Sequence, residues 1–477
     1  MPTSVVSHRP NYTKALEEDK NRLPTPSHRH SAPSAPWPWI DIHDEIDPVQ
    51  LESKLDPVPP LCDHKTCDGC WKGYPQSRFP NWTPRQVERS KIADAISNYD
   101  SNTSCKIHHV DVNTQGFFTD AGEIVAPDND REATWDLIIH EKRPDNLRVR
   151  ALFLENLSGP VLQMLGAKFN IEPFFWSSSI NWIPSRFQED PQPGKGDHIT
   201  ITLTFLKSME GLYHNSAGTQ SAHSISTVAS TDDRLTVTEQ MIDTQAPLRL
   251  RSSRRILILD LLSVHLIRNV TGSTIISYHP TMKHPTTTAQ YLHDRIRYAG
   301  QSVYWQSIFQ KSPDPTFVLL TFVWHAMYAW DEALQHLYNH ICWLETKVIN
   351  TSNMQLTQEL HIIRAHHLHY SSLLEDFEKT VKFIRDTHNP AMESYSKAER
   401  EYSAHLMKRE CQNLLSEINR LEMGRRMQDK RLKNVMNLVF SRVNIDDSAR
   451  MRQMTEAAVK DSAAVYTFTF CLPPLNY

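Results

Sequence analysis

The chain has 477 residues, enough for two or three domains, and its 39% hydrophobic content suits a globular protein with disordered or long helical parts. A formal net charge of −4 gives no overall excess of charge that would indicate a nucleic-acid or membrane-surface partner. Seven cysteines, an odd number and mostly scattered, argue for a reducing compartment, and the N-terminus lacks the apolar core of a signal peptide.

Residues 1–85 form a proline-rich segment that holds 14 of the 29 prolines. Proline fixes the backbone φ angle and removes a hydrogen-bond donor, so a packed core is not expected here. The composition therefore predicts a largely disordered segment.

One cysteine cluster, "CDHKTCDGC", lies in this segment and supplies Cys62, His64, Cys67 and Cys70. These four side chains are possible zinc ligands, and their spacing also imitates part of a plant-type iron–sulfur pattern, for which Cys105 is the nearby fourth cysteine. Structural zinc usually pairs two such knuckles and no second one follows, which favours an inert loop patch. The sequence alone assigns no catalytic, cofactor-binding or metal-binding residue, and a zinc-dependent nucleic-acid binder is only the weakest interpretation.

Residues 90–300 mix short extended and short helical patterns. The stretch 148–156 is typical of a buried strand, "HITITLTFL" alternates strictly, and "RRILILDLLSVHLI" is apolar enough for a strand covered on both faces. This mixture predicts an α/β (α+β) domain, with a flexible loop at 207–254.

The rest of the chain is nearly free of glycine and proline, as long helices require. The pattern predicts a helical pair within 301–390, with helices over 316–349 and 354–387. It predicts a third helix over 395–464, a stalk of roughly 100 Å at 1.5 Å per residue.

The stalk carries apolar residues at heptad spacing, interrupted by a polar layer, which is typical of a coiled coil. The positions of this seam are Cys411, Leu414, Ile418, Leu421, Arg425, Gln428, Leu432, Val435 and Val439.

The best candidate for a membrane span is Phe317 to Trp330. It covers 14 residues, whereas a span needs about 20, so the pattern favours a buried core helix and no transmembrane helix is expected in this chain.

Histidines pair at helical spacing in two places, His336 with His340 and His366 with His369. Either pair could hold a metal ion on one helix face. No further ligand follows at a defined spacing, so hydrogen bonds between packed helices are the favoured interpretation.

The helical half resembles the fungal CorA-like proteins, relatives of the CorA divalent-cation (Mg2+) channels. The resemblance rests on ordered words such as "HAMYAWDEALQHLYNHICWLE", "NLLSEINRLEMGRRMQDKRLKNVMNLVFSRVNIDDSARM" and "TEAAVKDSAA". In the first half, "RVRALFLENLSGPVLQMLGAKFNIEPFF" and "GDHITITLTFL" are similar to the same family, and the resemblance covers roughly 135–464.

The resemblance implies a cytoplasmic α/β domain, then helices ending in a long stalk, in a pentameric, membrane-embedded metal-ion transporter and not an enzyme. In the family the stalk enters a pore helix that ends in Gly-Met-Asn, and cytoplasmic acidic residues bind Mg2+ between subunits. Here no Gly-Met-Asn occurs, and residues 465–477 form a tail that does not match the family. The acidic pair Asp446–Asp447 is the nearest equivalent of an ion-sensing feature, although a solvated turn of helix is the favoured interpretation.

These observations lead to the expectation of the cytoplasmic portion of a CorA-like Mg2+ transporter, truncated before the first transmembrane helix and not conducting alone. Such a chain would be cytoplasmic or peripheral, with Mg2+ as a possible family ligand. The alternative is a coiled-coil interaction or regulatory protein that oligomerises or docks on intact CorA-like subunits. Expected partners are further copies of the chain, not nucleic acid.

Overall fold

The structure is a computed structural model, and it describes most of the chain from residue 62 onward. The described residues are 48, 52, 62–64, 67, 69–140, 143–211, 242–280, 288–350 and 354–470. Most of the 1–85 segment, residues 212–241 of the expected loop and residues 471–477 of the expected tail lie outside this part.

The first half of the described chain is built on one eight-stranded mixed sheet. Its strands are β1 (Cys105–Asn113), β2 (Phe118–Ala126), β3 (Leu147–Glu155), β4 (Ser185–Gln192), β5 (Gly196–Glu210), β6 (Leu248–Leu250), β7 (Arg255–Asn269) and β8 (Ser273–Tyr278). The strand order is β2-β1-β3-β8-β7-β5-β4, with β6 paired to β7, and only the β3–β8 pair is parallel. The expected mixed α/β domain is confirmed.

Helices cover both faces of the sheet. Five short helices lie in the described part of the first half from residue 69 onward: α1 (Pro84–Arg89), α2 (Ile92–Ser97), α3 (Arg131–His140), α4 (Gly159–Lys168) and α5 (Phe174–Asn181). Five follow the sheet: α6 (Ala289–Gly300), α7 (Val303–Lys311), α8 (Thr316–Asn350), α9 (Met354–Asp386) and α10 (Lys397–Phe470). Successive side chains of a strand point to opposite faces of the sheet. In β3, Phe153 packs in the core shared with α6–α10, whereas Leu154 packs in the core shared with α1–α5.

The sheet domain begins earlier than the sequence boundary near residue 90. Trp71, Tyr74, Phe79 and Trp82 are all buried in the core that holds α1–α5. The Tyr74 hydroxyl donates a hydrogen bond to the Ile171 carbonyl at 2.7 Å. Large aromatic side chains spaced among the prolines give this stretch the apolar surface that ordering requires. The proline content alone predicted disorder and did not reflect these aromatic residues.

The strict alternation in β5 is typical of a strand with one buried and one exposed face, and the structure differs from this. In β7 both faces are buried, as the sequence predicts, but both faces of β5 are buried as well. The threonines of β5 tolerate burial because their hydroxyls find partners, as when Thr200 Oγ1 lies 2.8 Å from His265 Nδ1.

The three long helices begin and end within a few residues of their predicted limits, apart from the C-terminal end of α10, which continues through Phe470. Asp314 caps α8, because its Oδ1 accepts a hydrogen bond from the Thr316 amide at 2.9 Å. The segment from Phe317 to Trp330 lies largely in the core, with both end residues fully buried, although Tyr328 is 64% exposed. In the part of the chain that the structure describes, no helix is long and apolar enough to cross a membrane.

The seam of α10 packs inside the chain. Cys411, Leu414 and Leu432 have no exposed surface, and α10 lies against α8 and α9. Its polar layer is also paired within the chain: Gln428 donates to the Leu334 carbonyl at 2.9 Å, and Arg425 donates to the His367 carbonyl at 3.2 Å. The heptad pattern therefore describes helix packing in one subunit, and any assembly of copies must use another surface.

Candidate functional site

The structure brings Cys62, His64, Cys67 and Cys70 together. One ligand atom from each of the four lies within 4.8 Å of all the others. His64 Nδ1 is 3.4 Å from Cys70 Sγ and 4.0 Å from Cys67 Sγ. No other group of this kind forms among the described histidine, cysteine, aspartate and glutamate side chains. The loop patch expected from the sequence is therefore a compact cluster of three thiols and an imidazole.

Backbone geometry explains how so short a stretch closes on itself. His64 and Gly69 both have left-handed φ angles, 53° and 64°. Gly69 adopts this conformation readily, and it precedes a 3-10 helix, Cys70–Gly73, on which Cys70 is the first residue. A non-glycine residue such as His64 meets a steric cost in this region, which the surrounding contacts must offset.

Contacts from distant parts of the chain hold the cluster. The His64 ring packs edge-on against Trp135 of α3, with ring centroids 5.4 Å apart. Trp71, next to Cys70, is buried and lies 6.1 Å from the same Trp135 ring. The backbone of Lys168, at the end of α4, is near enough to the His64 ring to oppose the fall in its pKa. No local sequence signal connects these residues, because the tertiary fold alone brings them together.

The charges of the cluster follow from crowding and burial. A hydrogen bond from the Cys70 backbone amide lowers the pKa of the Cys67 thiol. Burial, and then the neighbouring Cys67, raise the pKa of Cys70 to about 12. Burial, followed by the charge of Arg78, lowers the pKa of His64, so its ring is neutral near pH 7. The neutral imidazole can bind a cation directly. The crowded thiols resist joint ionisation, and a bound cation would favour their ionised forms.

Cys105, the sequence candidate for a fourth iron–sulfur ligand, lies elsewhere. It is fully buried at the start of β1, and burial raises its pKa to about 12. It is not part of the cluster, so the plant-type iron–sulfur arrangement has no fourth cysteine among the described residues.

The two histidine pairs do not form shared sites. His340 is buried and lies 2.9 Å from Glu359 Oε1, whereas His336 lies 3.5 Å from Glu332 Oε1. His366 is buried beside Tyr370, and burial lowers its pKa to about 4. Of these contacts, only that between His340 and Glu359 joins two helices, whereas the contacts of His336 and His366 lie within one helix each.

The acidic pair Asp446–Asp447 lies on the outer half of α10, beyond the packed seam. Asp447 is exposed and Asp446 is half-buried. The structure describes one copy of the chain, so a role in sensing cations remains a prediction.

Comparison with known proteins adds fold-level similarities only. No protein-family model and no curated protein matches the sequence. Among solved structures, the chain is similar to the complete structure of the CorA magnesium transporter from Methanocaldococcus jannaschii, with 11% identity, a TM-score of 0.47, and coverage of 78% of this chain and 88% of that one.

Two further solved structures give weaker similarities. The full-length CmaX protein has 9% identity and a TM-score of 0.45, with coverage of 78% of this chain and 88% of that one. The ZntB cytoplasmic domain from Vibrio parahaemolyticus has 7% identity and a TM-score of 0.34, with coverage of 70% and 98%. At these values the likeness says nothing about activity.

Proposed function

We propose that the chain is the cytoplasmic portion of a fungal CorA-like transporter of divalent cations, with Mg2+ as the expected ion. It would work as a ring of copies whose long helices lie side by side at the cytoplasmic face of a membrane. This portion has no pore signature in its sequence, and it would not conduct ions alone. The proposal rests on the sequence resemblance and on the outer part of α10, residues 441–462, whose side chains are almost all exposed.

The exposure of the outer part of α10 is the observation that carries the proposal. The helix has 74 residues, which corresponds to about 110 Å, and its first part packs against α8 and α9. From residue 441 to residue 462 every side chain is exposed except Arg442 and Asp446, which are half-buried. A packed base that supports a long free helix suits a lever or stalk, because no core within the subunit requires that length.

Exposed apolar side chains on the outer part of α10 favour a ring of copies over a pair of helices. Ile445, Met454 and Val459 are 67%, 73% and 62% exposed. Ile445 and Met454 are nine positions apart, which places them on opposite sides of the helix at about 100° per residue. One two-helix seam covers only one side, whereas a stalk in a ring has a neighbour on each side.

A matched set of substitutions tests this arrangement. In sedimentation experiments with millimolar Mg2+, Ile445→Lys and Met454→Lys should each weaken self-association, because each places a charge in a different contact. Gln453→Lys, at an exposed position between them, is the control for added charge. Loss of association in only one of the two variants would contradict the ring. A wild-type chain that stays monomeric with and without Mg2+ would contradict both the ring and an interaction protein that acts by oligomerising.

The same assay tests the role of Mg2+. Chelation of Mg2+ should weaken the assembly of the wild-type chain. The double variant Asp446→Asn/Asp447→Asn should lose this sensitivity, whereas Asp461→Asn, an exposed acid farther along the same helix, should keep it. Equal sensitivity in both variants would remove Asp446 and Asp447 from the proposal.

A further inference from the structure

We propose that Cys62, His64, Cys67 and Cys70 bind one zinc ion in a closed structural site that holds these residues in the conformation that packs against α3 and α4. This inference does not depend on the proposed transport function. It rests on the mutual placement of four ligand atoms and on the contacts that orient them.

The spacing of the ligand atoms fits a tetrahedral ion. Zn–S bonds of about 2.3 Å and Zn–N bonds of about 2.05 Å imply separations of about 3.8 Å between sulfurs and about 3.6 Å between sulfur and nitrogen. The observed separations from His64 Nδ1 are 3.4 Å to Cys70 Sγ and 4.0 Å to Cys67 Sγ, on either side of the sulfur–nitrogen value. All four atoms lie within 4.8 Å of one another, so shifts of well under 1 Å complete the site.

The donor set selects the ion. Thiolate and imidazole ligands suit zinc, whereas Mg2+ and Ca2+ require oxygen ligands. Three cysteines and one histidine fill a tetrahedral shell and leave no open position, which is characteristic of structural rather than catalytic zinc. On binding, thiols that are protonated beforehand release their protons to solvent, and no oxidation is involved.

The surroundings give this site the support that metal ligands usually have. The edge contact with Trp135 restrains the His64 ring. Trp71 continues directly from Cys70 into the core, and Gln163 of α4 donates to the Tyr74 carbonyl at 3.0 Å. A bound ion would therefore fix the conformation in which this stretch packs against helices that follow it by 61 residues or more in the chain.

Metal content of the purified full-length chain tests the site. After incubation with ZnCl2 and dialysis, we expect inductively coupled plasma mass spectrometry to find about one zinc ion per chain. Cys67→Ser and Cys70→Ser should each lower the zinc content at least about fivefold. Cys342→Ser, a half-buried cysteine of α8 outside the cluster, should retain it. No zinc in the wild-type chain, or equal content in all three variants, would overturn the proposal.

A second measurement keeps the test valid if a variant fails to fold, which circular dichroism would reveal. Cobalt(II) bound to the wild-type chain should give the intense visible absorption of a tetrahedral thiolate complex. Weak octahedral bands would overturn the site. Iron in place of zinc, or a chain mass lower by two hydrogens because two of the thiols form a disulfide, would overturn it as well.

Discussion

Replacement of Leu414 by alanine tests whether the seam of α10 belongs to a single chain. Leu414 has no exposed surface and lies in the core that joins α8, α9, α10 and the sheet. Leu→Ala changes in protein cores cost about 2–5 kcal/mol, and the cost is larger where neighbours cannot collapse into the cavity. Helices on two sides restrain that collapse, so we expect a loss of about 3–5 kcal/mol in the free energy of unfolding.

The control is Leu438→Ala, at a position on the same helix whose side chain is 42% exposed. It should cost less than about 1.5 kcal/mol, because much of the leucine already contacts water. Urea unfolding at two chain concentrations tenfold apart measures both variants. A seam within one chain gives a loss for Leu414→Ala that does not change with concentration. A loss as small as that of the control, or one that grows on dilution, would refute intrachain packing.

Four further substitutions test individual sites in the fold. Gly166→Ala places a Cβ atom 2.4 Å from a buried tyrosine ring and should cost at least about 1–3 kcal/mol, whereas Gly424→Ala meets no atom within 4 Å and should stabilise α10 by about 0.5–1 kcal/mol. Asp197→Asn removes the negative charge that pairs with the fully buried Arg268 guanidinium, and it should lower the free energy of unfolding in urea by about 3–5 kcal/mol. Burial raises the pKa of Glu172 to about 7, so the stabilising contribution of this carboxyl should be lost as pH rises from about 4.5 to about 7, and Glu172→Gln should remove that contribution from the thermal-stability profile.

Each of these predictions has an outcome that contradicts it. Equal effects of the two glycine substitutions would show that the close contact at Gly166 is relieved without cost. Glu378→Gln breaks an exposed pair with Lys382 and should cost less than about 1 kcal/mol, so an equally small effect of Asp197→Asn would contradict the buried pair. An unchanged pH profile in Glu172→Gln would mean that another group controls stability in that range.

The sequence predicts the long elements well because their signals are local. A run of residues without glycine or proline, an aspartate cap at Asp314 and strict alternation in β5 each act over a few positions. These signals place the helices and strands without knowledge of the rest of the fold.

Long-range contacts limit the same approach elsewhere. The heptad spacing of α10 indicates a buried stripe but does not say whether the partner is another chain or the preceding helices. The cysteine spacing suggests ligands, but closure of the cluster depends on a left-handed backbone at His64 and on Trp135, 71 positions later. Such juxtapositions are tertiary, and one sequence does not encode them in a short pattern.

The number of copies in the intact assembly tests the central claim most directly. Native mass spectrometry of the purified full-length chain in millimolar Mg2+ should give the mass of a pentamer, and chelation of Mg2+ should shift the population toward smaller species. A chain that remains a monomer under both conditions would contradict the account of α10 as the stalk of a CorA-like ring.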